Sequence, residues 1–161
     1  MAIRTVRVVG DSVLTKKCKE VKAMTPRLQE LIDDMFDTMY DAGGVGLAAP
    51  QVGVLRRIIV VDAGDDPRVL INPRIVESEG EQTGDEGCLS YPGKYGTVTR
   101  PKRVVVEGFD REMQPVRWEA EDLLARDFCH EIDHLDGKMY MELVEGEIHD
   151  VRYEQQEAEE P

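Results

Sequence analysis

The sequence predicts an α+β domain, with antiparallel β-sheets packed around a helix near the C-terminal end and a second helix towards the N-terminus. Three observations lead there. Apolar residues recur at helical spacing in two separate stretches, Thr25 to Asp41 and Glu119 to Leu135. Between them lie short β-branched runs punctuated by glycine, asparagine and proline. The order helix, strands, helix fits helices laid on antiparallel sheet.

In the first stretch Leu28, Leu31, Ile32, Met35, Phe36 and Met39 share a face. Thr25 is placed to cap the helix, and Pro26 takes the first helical position, where its missing N–H is harmless. Gly43 and Gly44 stop the helix. A connection rich in glycine and alanine leads to Arg57 to Asp62, where Ile58, Ile59, Val60 and Val61 form an unbroken β-branched run, the pattern of a buried strand. Val69 to Ile71 and Arg74 to Glu77 read as extended segments flanking Asn72-Pro73, and Arg103 to Phe109 and Pro115 to Trp118 as two more. The second helix runs through Leu123, Leu124, Phe128, Ile132 and Leu135, with Gly137 placed for a left-handed C-terminal cap. At 161 residues the chain can bury a sizeable core. It is expected to form a single catalytic domain over residues 1–144 and an acidic, weakly ordered tail over 145–161.

The formal charge of −13 is uneven, because residues 142–161 hold eight acids against Arg152 alone. Such a segment repels phosphate backbones, so no direct nucleic-acid binding is expected of it, and its simplest role is solvation. The three cysteines, Cys18, Cys88 and Cys129, have no disulfide-scaffold spacing and fit reduced thiols or a metal site. No run of eighteen apolar residues and no secretion leader is present, so the expected location is the cytoplasm, without a membrane partner.

The second helix carries His130-Glu131-Ile132-Asp133-His134. At about 3.6 residues per turn, histidines four apart project from one face and can share an ion. Glu131 can then reach a water on that ion. A catalytic ion needs a third protein ligand. In one protease pattern this is a histidine six residues after the second, but that position is Tyr140. Glu154 could serve in another pattern, yet it lies in the polar tail. The remaining candidate is Cys88, in a short segment bracketed by Gly87 and Pro92, whose soft thiolate with two imidazoles suits iron, zinc, nickel or cobalt. Cys129 is turned about 100° from His130 and reads as core.

Gly44 to Gly53 superficially matches a dinucleotide fingerprint, but it follows a helix and precedes a strand, the reverse of what that motif needs. Two readings stand. The segment packs against the sheet, or its glycines admit a substrate backbone while Gln51 offers an amide donor.

Gly44 to Gln51 (GVGLAAPQ), Glu86 to Ser90 (EGCLS) and His130 to His134 (HEIDH) together resemble the peptide deformylases, enzymes that remove the formyl group from N-terminal formyl-methionine of newly made polypeptides. The resemblance spans nearly the whole chain up to about Val144. It implies metal ligation by Cys88, His130 and His134, general acid/base chemistry by Glu131, and oxyanion stabilisation by the Gln51 amide and the Leu89 N–H. Val45 and Gly46 match substrate-contacting positions. The implied cofactor is one divalent ion, Fe(II), with Zn, Ni or Co able to substitute. The implied partner is the formyl-methionyl nascent chain, met in transient proximity to the ribosome. Leu123, on the helix face that carries His130, would extend an apolar wall for the methionine side chain. Glu86 and Arg100, opposite charges flanking the cysteine segment, are expected to pair and brace it. Cys129 and Tyr91 depart from residues frequent in the family, and neither removes a catalytic group. Two other classes remain to be separated from this one: a zinc endopeptidase using Glu154, and a closed structural metal site, which would need a fourth protein ligand.

Overall fold

The computed structural model describes residues 2–151. Helix α1 spans Pro26–Asp41, and Thr25 Oγ1 accepts from Leu28 N at 3.2 Å, the cap its sequence called for. Strands β1 (Gly46–Ala48), β2 (Ile58–Asp62), β3 (Pro67–Glu79), β6 (Arg103–Phe109) and β7 (Pro115–Glu121) form one sheet in the order β1-β2-β3-β6-β7. Strands β4 (Gln82–Cys88), β5 (Tyr91–Arg100) and β8 (Glu145–Asp150) form a second, and every pairing in both is antiparallel. Helix α2 spans Asp122–Leu135.

The β-branched run in β2 is unbroken because both faces of the strand are covered. Ile59 and Val61 point into a cluster with Phe128, Ile132 and Leu135 of α2, whereas Ile58 and Val60 join Ile32, Met35 and Met39 of α1. Successive side chains alternate sides along a strand, so four consecutive apolar residues serve two cores. The larger sheet thus lies between the two helices, and α2 is held face-on to it.

Several expectations need correction. Helix α2 begins at Asp122, not Glu119, because the alternation of Val116, Trp118 and Ala120 towards α2 carries β7 on to Glu121. Asn72-Pro73 does not separate two segments. Both residues lie within β3 at a bulge, with Asn72 at φ 52° and its side chain bonded to Val21 N and O at 2.8 Å each. The glycine-rich connection contains β1 itself, paired with β2. Beyond Val144, Glu145–Asp150 forms β8 against β5, fastened by Thr99 Oγ1 to Glu145 at 2.8 Å. All six β8 residues are exposed, so backbone pairing rather than burial recruits them. Glu154 lies outside the described residues. Among those residues no helix is long and apolar enough to cross a membrane.

Candidate active site

The hairpin β4–β5 and helix α2 meet at a cavity of about 630 Å³. Cys88 ends β4, Leu89 and Ser90 make the turn, and α2 presents His130, Glu131 and His134 from the opposite side. Val45, Gly46, Gln51, Cys88, Leu89, Leu123, His130 and Glu131 line this cavity, and His134 lies behind Cys88 with its Nε2 3.3 Å from Sγ. The ligand atoms of Cys88, His130 and His134 lie within 4.8 Å of one another, forming a possible metal-binding group among the described residues. Cys129, on α2 itself, is buried in the core, as its position on the helix predicts.

The donor set fits a divalent cation. Glu86 Oε1 lies 2.7 Å from His130 Nδ1, which fixes the ring and leaves Nε2 as the free nitrogen. Burial, aided by His130, holds the His134 pKa down at about 3, so its ring is the neutral ligand form. Burial and then the Glu131 carboxylate push the Cys88 thiol up to about 12. A thiolate there needs a cation beside it, and one soft sulfur with two imidazoles matches a borderline-soft ion.

Gln51 is buried, and its Oε1 accepts from Ala48 N at 2.9 Å. That bond aims Nε2 at Ser90 Oγ, 3.0 Å away, and at Cys88 Sγ, 3.5 Å away. Glu131 is buried with Oε1 lacking a partner. Burial and then the Asp127 and Glu86 carboxylates raise its pKa well above the ordinary carboxylate range. Gly46 is needed on packing grounds, because a Cβ there would collide with Asp127 Oδ1 and lie 2.5 Å from Glu131 Oε2.

The expected Glu86–Arg100 pair exists and is the centre of a larger network. Arg100 grips both Glu86 oxygens at 2.9 Å, Arg126 Nη1 reaches Oε2 at 2.6 Å, and Arg100 Nη1 also binds Asp133 at 2.7 Å. Burial alone would raise the Glu86 pKa, but the Arg100 and His130 hydrogen bonds outweigh it and hold the carboxyl well below its usual range. Arg126, Asp133 and Asp127 were not singled out from sequence. The available signal was positional: Arg126 sits one turn before His130, and charges on a helix's buried face need partners. Tyr140, where one protease pattern would place its third histidine, instead stacks on His130 with ring centres 5.9 Å apart.

Comparison with known proteins gives the same picture across the whole chain. A family model described as polypeptide deformylase matches residues 3–147. The chain is 60% identical to a peptide deformylase of Lachnoclostridium phytofermentans, over 99% of this chain and 100% of the relative. It is 61% identical to one of Agathobacter rectalis, over 96% and 98%. Among solved structures, a peptide deformylase from Legionella pneumophila superposes with a TM-score of 0.86 at 41% identity, covering 99% of each chain. One from Synechococcus elongatus in complex with actinonin gives 0.85 at 43%, covering 95% of this chain and 82% of that one. With its sequence matched almost end to end and its fold superposed on solved members, this chain belongs to the polypeptide deformylase family.

Proposed function

We propose that this protein is a metal-dependent hydrolase that removes the formyl group from the N-terminal formyl-methionine of newly synthesised polypeptides, releasing formate. The observation that carries this reading is the convergence on one cavity of a Cys/His/His group, a buried carboxyl and an oriented amide. Cys88, His130 and His134 would hold the ion, Fe(II) in the cell, with Zn, Ni or Co able to replace it. Such an ion supplies Lewis acidity, lowering the pKa of a water and polarising the formyl carbonyl.

The rest falls to the chain's own groups. Glu131 takes a proton from the attacking water and returns it to the leaving nitrogen. Its burial raises its proton affinity, which suits a group that must first accept and then deliver. Gln51 Nε2 and the Leu89 backbone N–H donate to the oxygen on which negative charge develops, a role in which one donor is worth about 3 kcal/mol. The Ala48 N–H bond to Gln51 Oε1 keeps that amide from turning its oxygen towards the charge. Val45 and Leu123, both about half exposed on the cavity rim, flank the methionine side chain, and Gly46 admits the peptide backbone. The substrate is the nascent chain, met in the cytoplasm close to the ribosome.

The decisive experiment is purification without oxygen, metal analysis, and formate release from formyl-Met and acetyl-Met peptides of equal length. About one ion per chain and turnover of the formyl substrate alone are expected. Equal turnover of both substrates, or cleavage of internal peptide bonds without formate release, would sink the proposal.

A further inference from the structure

Residues 2–8 belong to no helix or strand, yet the backbone of this segment is tied down along its length. Asp34 and Thr38 of α1, both buried, hold its first part: Asp34 Oδ1 accepts from Ala2 N at 2.6 Å, Asp34 Oδ2 from Arg4 Nε at 2.9 Å, and Thr38 Oγ1 from Arg4 N at 2.9 Å. Farther along, Arg7 N donates to Gln51 O at 2.7 Å and Val9 N to Ser90 O at 2.8 Å. Beyond them Asp11 N returns to Val8 O at 3.0 Å and Leu14 is buried in the core, so the segment is anchored on both sides of these two bonds.

The carbonyls it reaches stand on the parts that carry the proposed oxyanion donors. Gln51 follows β1 of the larger sheet, and Ser90 is the neighbour of Leu89 in the turn between β4 and β5 of the smaller one. Gln51 O lies in the short 3₁₀ turn Ala49–Val52, and Val54 N, three residues on, bonds Ala49 O instead, so Arg7 supplies the partner that the end of such a turn lacks. Two residues of chain span about 7 Å at most, so the bonds from Arg7 and Val9 limit how far Gln51 and Ser90 can drift apart. The link from Gln51 Nε2 to Ser90 Oγ, at 3.0 Å, engages the donor amide itself, whereas the N-terminal segment joins the same residues through backbone that the reaction leaves untouched. Oxyanion donors act because they are fixed before the charge develops, and a misplacement of about 1 Å is felt as about a hundredfold in rate.

We propose that Arg7 and Val9 are positioning residues whose backbone N–H groups, by holding Gln51 O and Ser90 O, keep the Gln51 amide and the Leu89 N–H aimed at one point across the joint between the sheets. This inference rests on the deformylase reading. Val8 and Val9 are matched for a test, being 46% and 45% exposed, while among the described residues Val9 has a bonded N–H and Val8 does not. The full chain, loaded with Fe(II) or Ni(II), is assayed with a formyl-Met tripeptide. Val9→Pro should lower kcat per bound ion about fivefold, the ordinary net strength of one hydrogen bond, with KM and metal content unchanged, and Val8→Pro should keep the wild-type kcat. Replacing Val9 by its α-hydroxy analogue removes the same N–H without the ring and should reproduce the loss, which keeps the test decisive if the proline chain does not fold. In a Gln51→Ala background either change at Val9 should cost less than about twofold, because one donor alone has nothing to be aligned with; a general loosening would cost the same fivefold again. A wild-type kcat with the α-hydroxy analogue overturns the inference, as does an undiminished loss in the Gln51→Ala background or an equal loss with Val8→Pro. Failure of the metal-loaded wild type to release formate at all removes the deformylase reading itself, which distinguishes the two failures.

Discussion

Replacing Glu86 by Gln tests whether the charged network behind the metal-binding group holds it in shape. The substitution keeps size and removes the charge that accepts from Arg100, Arg126 and His130. Arg100 retains Asp133 at 2.7 Å and Arg126 retains Val98 O at 3.1 Å and Gln82 O at 3.5 Å, but the one amide oxygen left, claimed by the two guanidiniums, is uncharged and cannot also serve His130. Breaking a buried ion pair from one side is worth about 3 to 5 kcal/mol, and the partial rescue of Arg100 places this case near 3 kcal/mol. For a chain of this size that is a fall in Tm of about 6 to 12 °C. His130 also loses its orienting acceptor, so metal affinity should drop about 10- to 100-fold. Urea unfolding gives the first quantity and chelator competition the second. The sign with pH follows from the depressed Glu86 carboxyl. Its contribution is complete above the ordinary value of 4.5 and is lost as pH falls through the lower folded value, so the deficit of Glu86→Gln should shrink in acid. A variant with the wild-type urea midpoint and metal affinity at neutral pH would refute this account.

Cys88→Ala should purify with less than about a tenth of the wild-type metal and no measurable turnover, since two histidines alone make a weak site; a fully metallated, active variant would reassign the third ligand. Glu131→Gln should keep its metal and lose turnover by about a hundredfold or more, as single-turnover formate release would record; wild-type kcat would mean that another group moves the proton. Gly46→Ala should impair kcat by forcing Asp127 and Glu131 off their positions, and a kcat within twofold of wild type would show that the wall yields easily.

What could be read from the sequence was what periodicity and spacing encode. The i,i+4 histidines, the capped helix α1 and the doubly buried β2 each leave such a pattern. The β4–β5 hairpin does not, because its residues are mostly glycine, threonine and charges with few positions buried, and β8 buries none. The Glu86–Arg100 pair was visible as opposite charges flanking the cysteine segment. Arg126 and Asp133 carry no such signal, because only the smaller sheet packed over them distinguishes them from ordinary helix charges. Asp127 left no trace at all: an acid three residues before a histidine is common, and only enclosure against Gly46 makes it unusual.

The two sheets share no strand, yet the possible metal-binding group draws Cys88 from one and both histidines from the helix lying on the other. The accuracy of the site is therefore a property of the seam between them and of neither part alone. Any sliding of one layer over the other changes the sulfur-to-imidazole separations directly. Arg126 reaching from α2 to β4 and β5, and Arg100 reaching back from β5 to α2, stitch the seam in both directions. Substitutions that loosen this joint should erode metal retention before they lower global stability, whereas changes deep in the α1 core should do the reverse.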